Sequence, residues 1–196
     1  MSKGVLLVNL GSPDSTKVSD VRKYLDEFLM DSRVIDMPYL SRALLVKGII
    51  LRTRPKKSAA AYQKVWTPEG SPLIVHSRKL TEKVQAQVTI PVRMAMRYGN
   101  PSIASAIASL AQEGITKLFL MPMYPQYAMS TTETIEVLTQ KILRKKYPHI
   151  QLTSLPPFYN QPEYVRVLVS SIKEYHRENE YLLFSYHGIP ERHIHK

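Results

Sequence analysis

The sequence of 196 residues contains no cysteine. This absence excludes disulfides, thiolate zinc sites and cysteine-ligated iron–sulfur clusters within these residues, so any metal chemistry must use histidine, carboxylate or other oxygen ligands. Long hydrophobic runs are also absent, because no stretch approaches the roughly 18 apolar residues that would cross a bilayer. Residues 1–4 lead directly into a strand-like segment rather than a signal peptide. We therefore expect a cytoplasmic protein.

The motifs of several common enzyme classes are missing as well. The loop after the first apolar segment, Asn9–Pro13, lacks the repeated glycines of a dinucleotide fingerprint, and no Gly-rich phosphate loop followed by Lys and Ser or Thr occurs. NAD and ATP are therefore poor candidates for a ligand. Neither a Gly-x-Ser-x-Gly elbow nor a His-Glu-x-x-His pair is present, so hydrolase and zinc-protease functions have no support.

Acidic residues are scarce: 27 Lys and Arg face 16 Asp and Glu, which makes a formal net charge of +11. This charge could attract nucleic acid, anionic lipid or an acidic small molecule. The basic residues cluster at 52–57 and 141–146. Neither cluster is interleaved with aromatic residues as a platform for single strands would be, so we expect no nucleic acid partner. Solvated helix ends are one interpretation of both clusters, and a surface facing anions or a membrane is the alternative for 52–57.

Strand and helix patterns alternate along the chain. Short apolar runs predict strands, and apolar residues at helical spacing predict helices. The predicted strands are 4–9, 92–97, 117–121, 151–155 and 181–186. The predicted helices are 20–30, 39–52 with Pro55 as its limit, 73–87, 102–112, 131–147 and 162–177. Repeated strand–helix–strand units predict an α/β fold, a doubly wound parallel sheet flanked by helices in the Rossmann-like manner.

Polar and aromatic residues collect where the predicted strands end, which is the edge at which open parallel sheets bind ligands. His187 follows the last strand, Arg97 and Tyr98 end the second, and Tyr124 follows the third. Such a wall, mostly aromatic and apolar with a few donors and one cation, suits a large flat hydrophobic ligand with acidic groups. Each residue also has a structural interpretation: Tyr124 packs at the edge, Arg97 pairs with a buried acid, and His187 is hydrogen bonded. Ser130–Thr132, followed by acidic residues, is typical of a helix N-cap.

Five motifs, in order along the chain, carry a family resemblance. They are Val8–Pro13, Glu69–Leu73, Met96–Tyr98, Tyr124–Tyr127 with Ser130–Thr132, and Phe184–Pro190. Together they resemble ferrochelatase. The resemblance implies a lyase that inserts ferrous iron into a porphyrin, protoporphyrin IX or coproporphyrin III, in haem biosynthesis, between two similar Rossmann-like lobes. Residues 1–160 would form the first chelatase lobe, and residues 161–196 a helix and the first strand of a second lobe.

The resemblance also implies roles for individual residues. His187 matches the active-site histidine that binds the metal or accepts pyrrole protons, and a neutral imidazole can do either near neutral pH. Leu10 matches an apolar residue that packs on the macrocycle opposite this histidine. Leu25 and Leu29 match a pocket lip that faces porphyrin or membrane. The other residues implied to line the pocket or hold its propionates are Arg97, Tyr98, Tyr124, Ser130 and Thr132.

The resemblance further implies no covalently bound cofactor, Fe²⁺ as a substrate, and a peripheral contact of residues 39–57 with the inner membrane. The family's catalytic acid comes from the second lobe and lies beyond Lys196, so we expect the 196-residue chain alone to lack chelatase activity. Two alternatives remain: a chelatase for another tetrapyrrole or metal such as cobalt, and a basic module that binds lipid or nucleic acid. His193 and His195 are interpreted as surface residues.

Overall fold

The structure, a computed structural model, describes residues 2–177 and 180–191. Four strands form one sheet in the order β2-β1-β3-β4, and every neighbouring pair is parallel. The strands are β1 (Lys3–Ser12), β2 (Val92–Gly99), β3 (Lys117–Pro122) and β4 (Gln151–Ser154). β1 pairs with β2 and β3 along its two edges, and helices pack on its faces, which explains its nearly continuous apolar sequence. The predicted α/β fold with a parallel sheet is confirmed.

Helices connect the strands and cover both faces of the sheet. They are α1 (Val18–Leu29), α2 (Tyr39–Ala43), α3 (Leu51–Val65), α4 (Pro72–Gln85), α5 (Ile103–Gln112), α6 (Thr134–Lys146) and α7 (Pro162–Tyr175). Two π-helical segments, Leu44–Ile50 and Met129–Glu133, precede α3 and α6. In the described part of the chain, no helix is long and apolar enough to cross a membrane.

The apolar core has two parts. The larger lies between the sheet and helices α5 and α6, where Val8, Ile107 and Leu120 have no exposed surface. The smaller lies between α1 and α3 and is centred on Val21 and Val46. Full burial of one such aliphatic side chain contributes about 1.5–3 kcal/mol, so these clusters hold the helices against the sheet.

The helix predicted over 39–52 extends further than the prediction allowed. We predicted that Pro55 limits it, and this was wrong, because α2, the π-helical segment 44–50 and α3 follow one another without a break to Val65. Pro55 lies inside α3 and is buried. The ring stands about one turn after the point where the hydrogen-bond pattern changes from π to α.

The last described segment differs from its prediction. Helix α7 forms over Pro162–Tyr175, close to the predicted 162–177, but none of its residues is buried. Residues 181–186 were predicted to form a strand, yet they are exposed and have no strand pairing. No described strand lies beside them, so their N–H and C=O groups lack the ladder partners that define a strand. The division into lobes at residue 160 stays a prediction.

Candidate functional site

The carboxyl ends of β1, β2 and β3 meet at one edge of the sheet. The Leu10 N–H at the end of β1 donates a hydrogen bond to the Tyr124 hydroxyl, at 3.0 Å, in the loop after β3. The Tyr24 hydroxyl donates to the Gly11 carbonyl at 3.2 Å, which brings α1 to the same place. Leu10 and Tyr124 are both partly exposed. The predicted convergence is confirmed for the loops after these three strands, while the predicted strand 181–186, which would bring His187 to this edge, does not form.

Asp31, in the turn after α1, is the centre of a buried polar network at this edge. Its Oδ2 accepts hydrogen bonds from Arg97 Nη2 at 2.5 Å, Thr134 Oγ1 at 2.5 Å and the Tyr98 hydroxyl at 3.0 Å. Its Oδ1 accepts from the Arg33 N–H at 2.8 Å. The side chain of Asp31 is only 5% exposed. The network therefore ties the turn after α1 to the end of β2 and the start of α6.

These donors decide the ionisation of Asp31. Burial alone would raise the pKa of its carboxyl, because a charged group loses hydration there. Hydrogen bonds from Thr134 and the Arg33 N–H, the charge of Arg97 and the Tyr98 hydroxyl outweigh burial and hold the pKa below its usual range. Burial raises the pKa of Tyr98 well above its usual range, although Arg97 and Thr134 oppose the rise. At neutral pH the network therefore holds a carboxylate and a neutral phenol.

A second set of contacts extends the network toward the loop after β3. Glu133 accepts hydrogen bonds from Arg33 Nε at 3.0 Å and from the Tyr127 hydroxyl at 2.7 Å. Arg33 Nη1 also lies 3.9 Å from Asp31 Oδ1. Burial, and then the neighbouring Glu133, raise the pKa of Tyr127 to about 12. The negative charges of Asp31 and Glu133 therefore offset the positive charges of Arg33 and Arg97.

Aromatic rings lie behind this edge. Tyr24 stacks on Phe28 with ring centroids 6.1 Å apart, and Phe28 meets Tyr98 edge to face at 5.2 Å. Tyr24 also contacts Tyr62 of α3 edge to face at 6.4 Å. Burial raises the pKa of Tyr24, and burial also raises that of Tyr124 although the Leu10 N–H opposes it. The edge of the sheet is therefore backed by aromatic rings whose phenols are neutral.

Several residues implied to line a ligand pocket are buried. Leu25 and Leu29 are each 4% exposed and belong to the core between α1 and α3. Tyr98 has no exposed surface. Thr132 is 5% exposed, and its Oγ1 has no hydrogen-bond partner among the residues that the structure describes. Their contact with a ligand stays a prediction.

Ser130–Thr132 was also interpreted as a helix N-cap, and the structure contradicts this. The residue before the π-helical segment 129–133 is Ala128, in extended conformation, and no side chain caps it. The Thr131 hydroxyl donates instead to the Ala128 carbonyl at 3.3 Å. Ser130 is partly exposed at this end of the helix.

His187 lies in the exposed segment after α7. It forms no hydrogen bond or ion pair with any residue in the described ranges, so the structural interpretation of a hydrogen-bonded histidine has no support. Within 2–177 and 180–191, no group of three or more His, Asp or Glu side chains could hold a metal ion. His193 and His195 lie outside the described residues. A metal-binding role for His187 stays a prediction.

Sequence patterns alone do not reveal four residues of this network, Asp31, Arg33, Glu133 and Thr134. One signal pointed toward Asp31: a guanidinium at a strand end needs an acidic partner if it is buried. That argument names the type of partner but not the residue. The partner comes from a turn 66 residues away along the chain, so only the folded chain identifies it.

Comparison with known proteins agrees with the resemblance. The family model for ferrochelatase matches residues 2–196. The ferrochelatase of Stutzerimonas stutzeri strain A1501 is 50% identical over 196 residues, which cover 99% of this chain and 57% of that protein. The ferrochelatases of Pseudomonas fluorescens biotype C and Pseudomonas aeruginosa strain UCBPP-PA14 are 50% and 48% identical over 194 residues, again 98% of this chain and 57% of theirs. The chain thus spans little more than half the length of these relatives, and it belongs to the ferrochelatase family.

Proposed function

We propose that this chain forms one wall of the porphyrin site in an enzyme that inserts ferrous iron into a porphyrin in haem biosynthesis. The observation that carries the proposal is the meeting of Leu10 and Tyr124 at the carboxyl edge of the sheet, in a chain of the ferrochelatase family. Open parallel sheets bind ligands at this edge. A partly exposed leucine beside aromatic rings matches the flat apolar face of a macrocycle.

The proposed porphyrin lies against Leu10, with Tyr124, Ser130 and the 15% exposed Arg97 at its margin. The other implied residues are too buried to contact the macrocycle. We propose that they support the ligand-binding surface from inside the protein; they are Leu25, Leu29, Tyr98 and Thr132. A rigid aromatic backing matters because a flat ligand gains most of its binding energy from contact over a whole face.

His187 is the proposed metal ligand and proton acceptor. Insertion of Fe²⁺ replaces two pyrrole protons, so the reaction needs a group that can accept protons or hold the metal near the ring. A neutral imidazole can do either near pH 7. The exposure of His187 leaves both ring nitrogens available to a ligand. We propose that the second catalytic group, an acid, comes from the part of the family fold that this chain does not span.

A chimera tests the proposal. Residues 1–196 are joined to the remaining carboxyl-terminal part of the Stutzerimonas stutzeri relative, and metal insertion is followed by porphyrin absorbance under anaerobic conditions. We expect the chimera to insert Fe²⁺, the chain alone to insert none, and His187→Ala in the chimera to bind porphyrin without inserting iron. The intact relative is the positive control, and Co²⁺ in place of Fe²⁺ tests the cobalt alternative.

Three results would contradict parts of this proposal. If the chimera folds, as judged by circular dichroism, but binds no porphyrin, this chain does not form a wall of a porphyrin site. Insertion by the 196-residue chain alone, above the uncatalysed rate, would show that no second part is needed. Unchanged insertion by His187→Ala would remove this histidine from the mechanism.

We also propose that residues 39–57, which begin with α2 and the π-helical segment 44–50, dock on an anionic membrane surface. Leu40, Leu44 and Ile49 are 81%, 73% and 61% exposed. Leu40 and Leu44 are four residues apart and therefore share one face of the helix. The exposed basic cluster 52–57 follows directly. An apolar face flanked by cations is typical of helices that lie in the membrane interface.

Vesicle sedimentation tests this membrane contact. We expect the chain to sediment with vesicles that contain phosphatidylglycerol, to do so less at high salt, and to bind weakly to pure phosphatidylcholine. Leu40→Ser with Leu44→Ser should reduce binding. Val167→Ser, on a 67% exposed residue of α7, is the matched control and should leave it unchanged. Equal loss in both variants would contradict a specific docking face.

A further inference from the structure

Asp31 has the surroundings of a bound carboxylate ligand. Three donors converge on its Oδ2, from Arg97, Tyr98 and Thr134, and a backbone N–H donates to its Oδ1. A guanidinium, two hydroxyls and a backbone amide are the groups that proteins use to bind a free carboxylate. The site is buried, since Asp31 is 5% exposed and Thr134 only 1%. It is therefore a complete carboxylate site that one of the protein's own side chains fills.

The guanidinium of Arg97 donates to both Thr134 and Asp31. Its Nε donates to Thr134 Oγ1 at 2.6 Å and to the Thr134 carbonyl at 3.2 Å, and its Nη2 donates to Asp31. The guanidinium also lies 4.3 Å from the centre of the Tyr98 ring. A guanidinium binds a carboxylate with two bonds either through Nη1 and Nη2 or through Nε and Nη2. Thr134 and Asp31 occupy the pair formed by Nε and Nη2, and the charge of Asp31 offsets the charge that would attract a second carboxylate to Nη1 and Nη2.

We propose that Arg97, Tyr98 and Thr134 form a carboxylate-binding site that Asp31 fills, and that Asp31 thereby keeps Arg97 from binding an acidic group of the ligand. The ligand beside the end of β2 then presents an uncharged part, and its acidic groups bind elsewhere. Asp31 is in this sense a specificity-determining residue. The existence of the filled site is independent of the proposed function, and only the identity of the excluded ligand rests on it.

The charge balance supports this assignment. Asp31 and Glu133 offset Arg33 and Arg97, so the network has no excess positive charge for an acidic ligand. Replacement of Asp31 by a neutral residue leaves one guanidinium without its partner in a nearly buried place. Such a cation is strongly unfavourable until an anion reaches it. A small carboxylate added to the solution should therefore enter the vacated site.

Rescue by formate tests the filled site without a porphyrin. The thermal unfolding of Asp31→Ala is followed in sodium formate and in sodium chloride at equal ionic strength. We expect formate to raise its Tm by about 3–6 °C at a formate concentration ten times its Kd. The wild-type chain, whose site is full, should show no difference between the two salts. If Asp31→Ala is unfolded in chloride, saturating formate should restore its circular dichroism. Equal behaviour of the variant in both salts would overturn the proposal.

Two control variants separate the site from general salt effects. Asp31→Ala combined with Arg97→Met should lose the formate effect, because the main donor is gone. Glu113→Ala removes the carboxylate of the Arg93–Glu113 pair, whose two side chains are each 38% exposed. It should show no formate effect, since water already solvates that guanidinium. A formate effect of the same size in Glu113→Ala would also overturn the proposal.

Porphyrin binding tests the effect on specificity. Affinities for coproporphyrin and for its methyl ester are measured for the chimera with the wild-type residues, with Asp31→Asn, and with Asp31→Asn and Arg97→Leu together. We expect Asp31→Asn to increase the preference for the free acid by about tenfold, and Asp31→Asn combined with Arg97→Leu to lose this increase. An unchanged preference in Asp31→Asn, or an equal increase in the double variant, would overturn the exclusion. If neither porphyrin binds, the proposed function fails, while formate rescue still decides whether the site exists.

Discussion

Gly11→Ala should disrupt the edge of the sheet at which the candidate site lies. Gly11 has a φ of 113°, and it pairs with Tyr98 where β1 and β2 end. A Cβ atom built on Gly11 would lie 1.9 Å from the Tyr98 carbonyl oxygen. Real Cβ atoms essentially never come within 3.0 Å of such an atom. The two strands must therefore separate by about 1 Å, or the turn must change conformation.

The expected loss follows from two contributions. A non-glycine residue at such a φ costs about 1–3 kcal/mol in backbone strain. The forced separation adds about 1–3 kcal/mol of overpacking and about 1 kcal/mol for each ladder hydrogen bond that lengthens. We therefore expect Gly11→Ala to lower the free energy of unfolding by about 3–6 kcal/mol. A domain of this size has about 5–15 kcal/mol in total, so the variant should lose a large part of its stability.

Gly70→Ala is the matched control for this prediction. Gly70 has a φ of 115°, almost the same as Gly11, but nothing lies within 4 Å of a Cβ atom built on it. It should therefore lose only the strain, about 1–3 kcal/mol. Urea unfolding followed by far-ultraviolet circular dichroism measures both variants against the wild-type chain. Equal losses in the two variants would refute the close approach of β1 and β2 as the reason for glycine at position 11.

Three further predictions concern ionisation and the core. Glu133→Gln should lower the pKa of Tyr127 from about 12 toward its ordinary value near 10, because the partner that favours the neutral phenol becomes uncharged. The absorbance of tyrosinate measures this pKa, and Tyr127→Phe identifies the contribution of Tyr127. The lowered pKa of Asp31 contributes stability that is present above about pH 4 and is lost as pH falls through its folded pKa, so urea unfolding of Asp31→Asn should depend less on pH in that range. Ile107→Ala, at a residue without exposed surface, should cost about 2–5 kcal/mol in urea unfolding, and Val137→Ala, at a 39% exposed residue, well under half of that.

Most of the sheet and helix order was predictable because burial leaves a periodic record in the sequence. Helix α5 shows this most clearly, since its buried residues Ile103, Ala106, Ile107 and Leu110 follow helical spacing. The strands β1 and β3 are apolar because they lie inside the sheet. Residues 181–186 have a similar apolar pattern without a paired strand. A pattern of burial indicates what a segment could cover, and a strand needs a neighbour as well.

The meeting of Leu10 and Tyr124 was predictable for a different reason. They are 114 residues apart, yet each follows a strand of the same parallel sheet, and parallel strands end at the same edge. Pro55 shows where such rules fail. The local rule against proline in a helix is valid for a regular α-helix, but the π-helical segment 44–50 changes the hydrogen-bond pattern just before it.

The polar network could not be predicted because no periodicity records it. Asp31 receives its hydrogen bonds from residues 66, 67 and 103 positions away. Alternation along a strand even argues against it, since Arg97 and Tyr98 are consecutive and should point to opposite faces. Both reach the same carboxylate oxygen because they end β2, where the guanidinium turns back over the Tyr98 ring. Position in the sheet therefore predicts which residues stand at the ligand-binding edge, while their hydrogen-bond partners decide which of them remain available to a ligand.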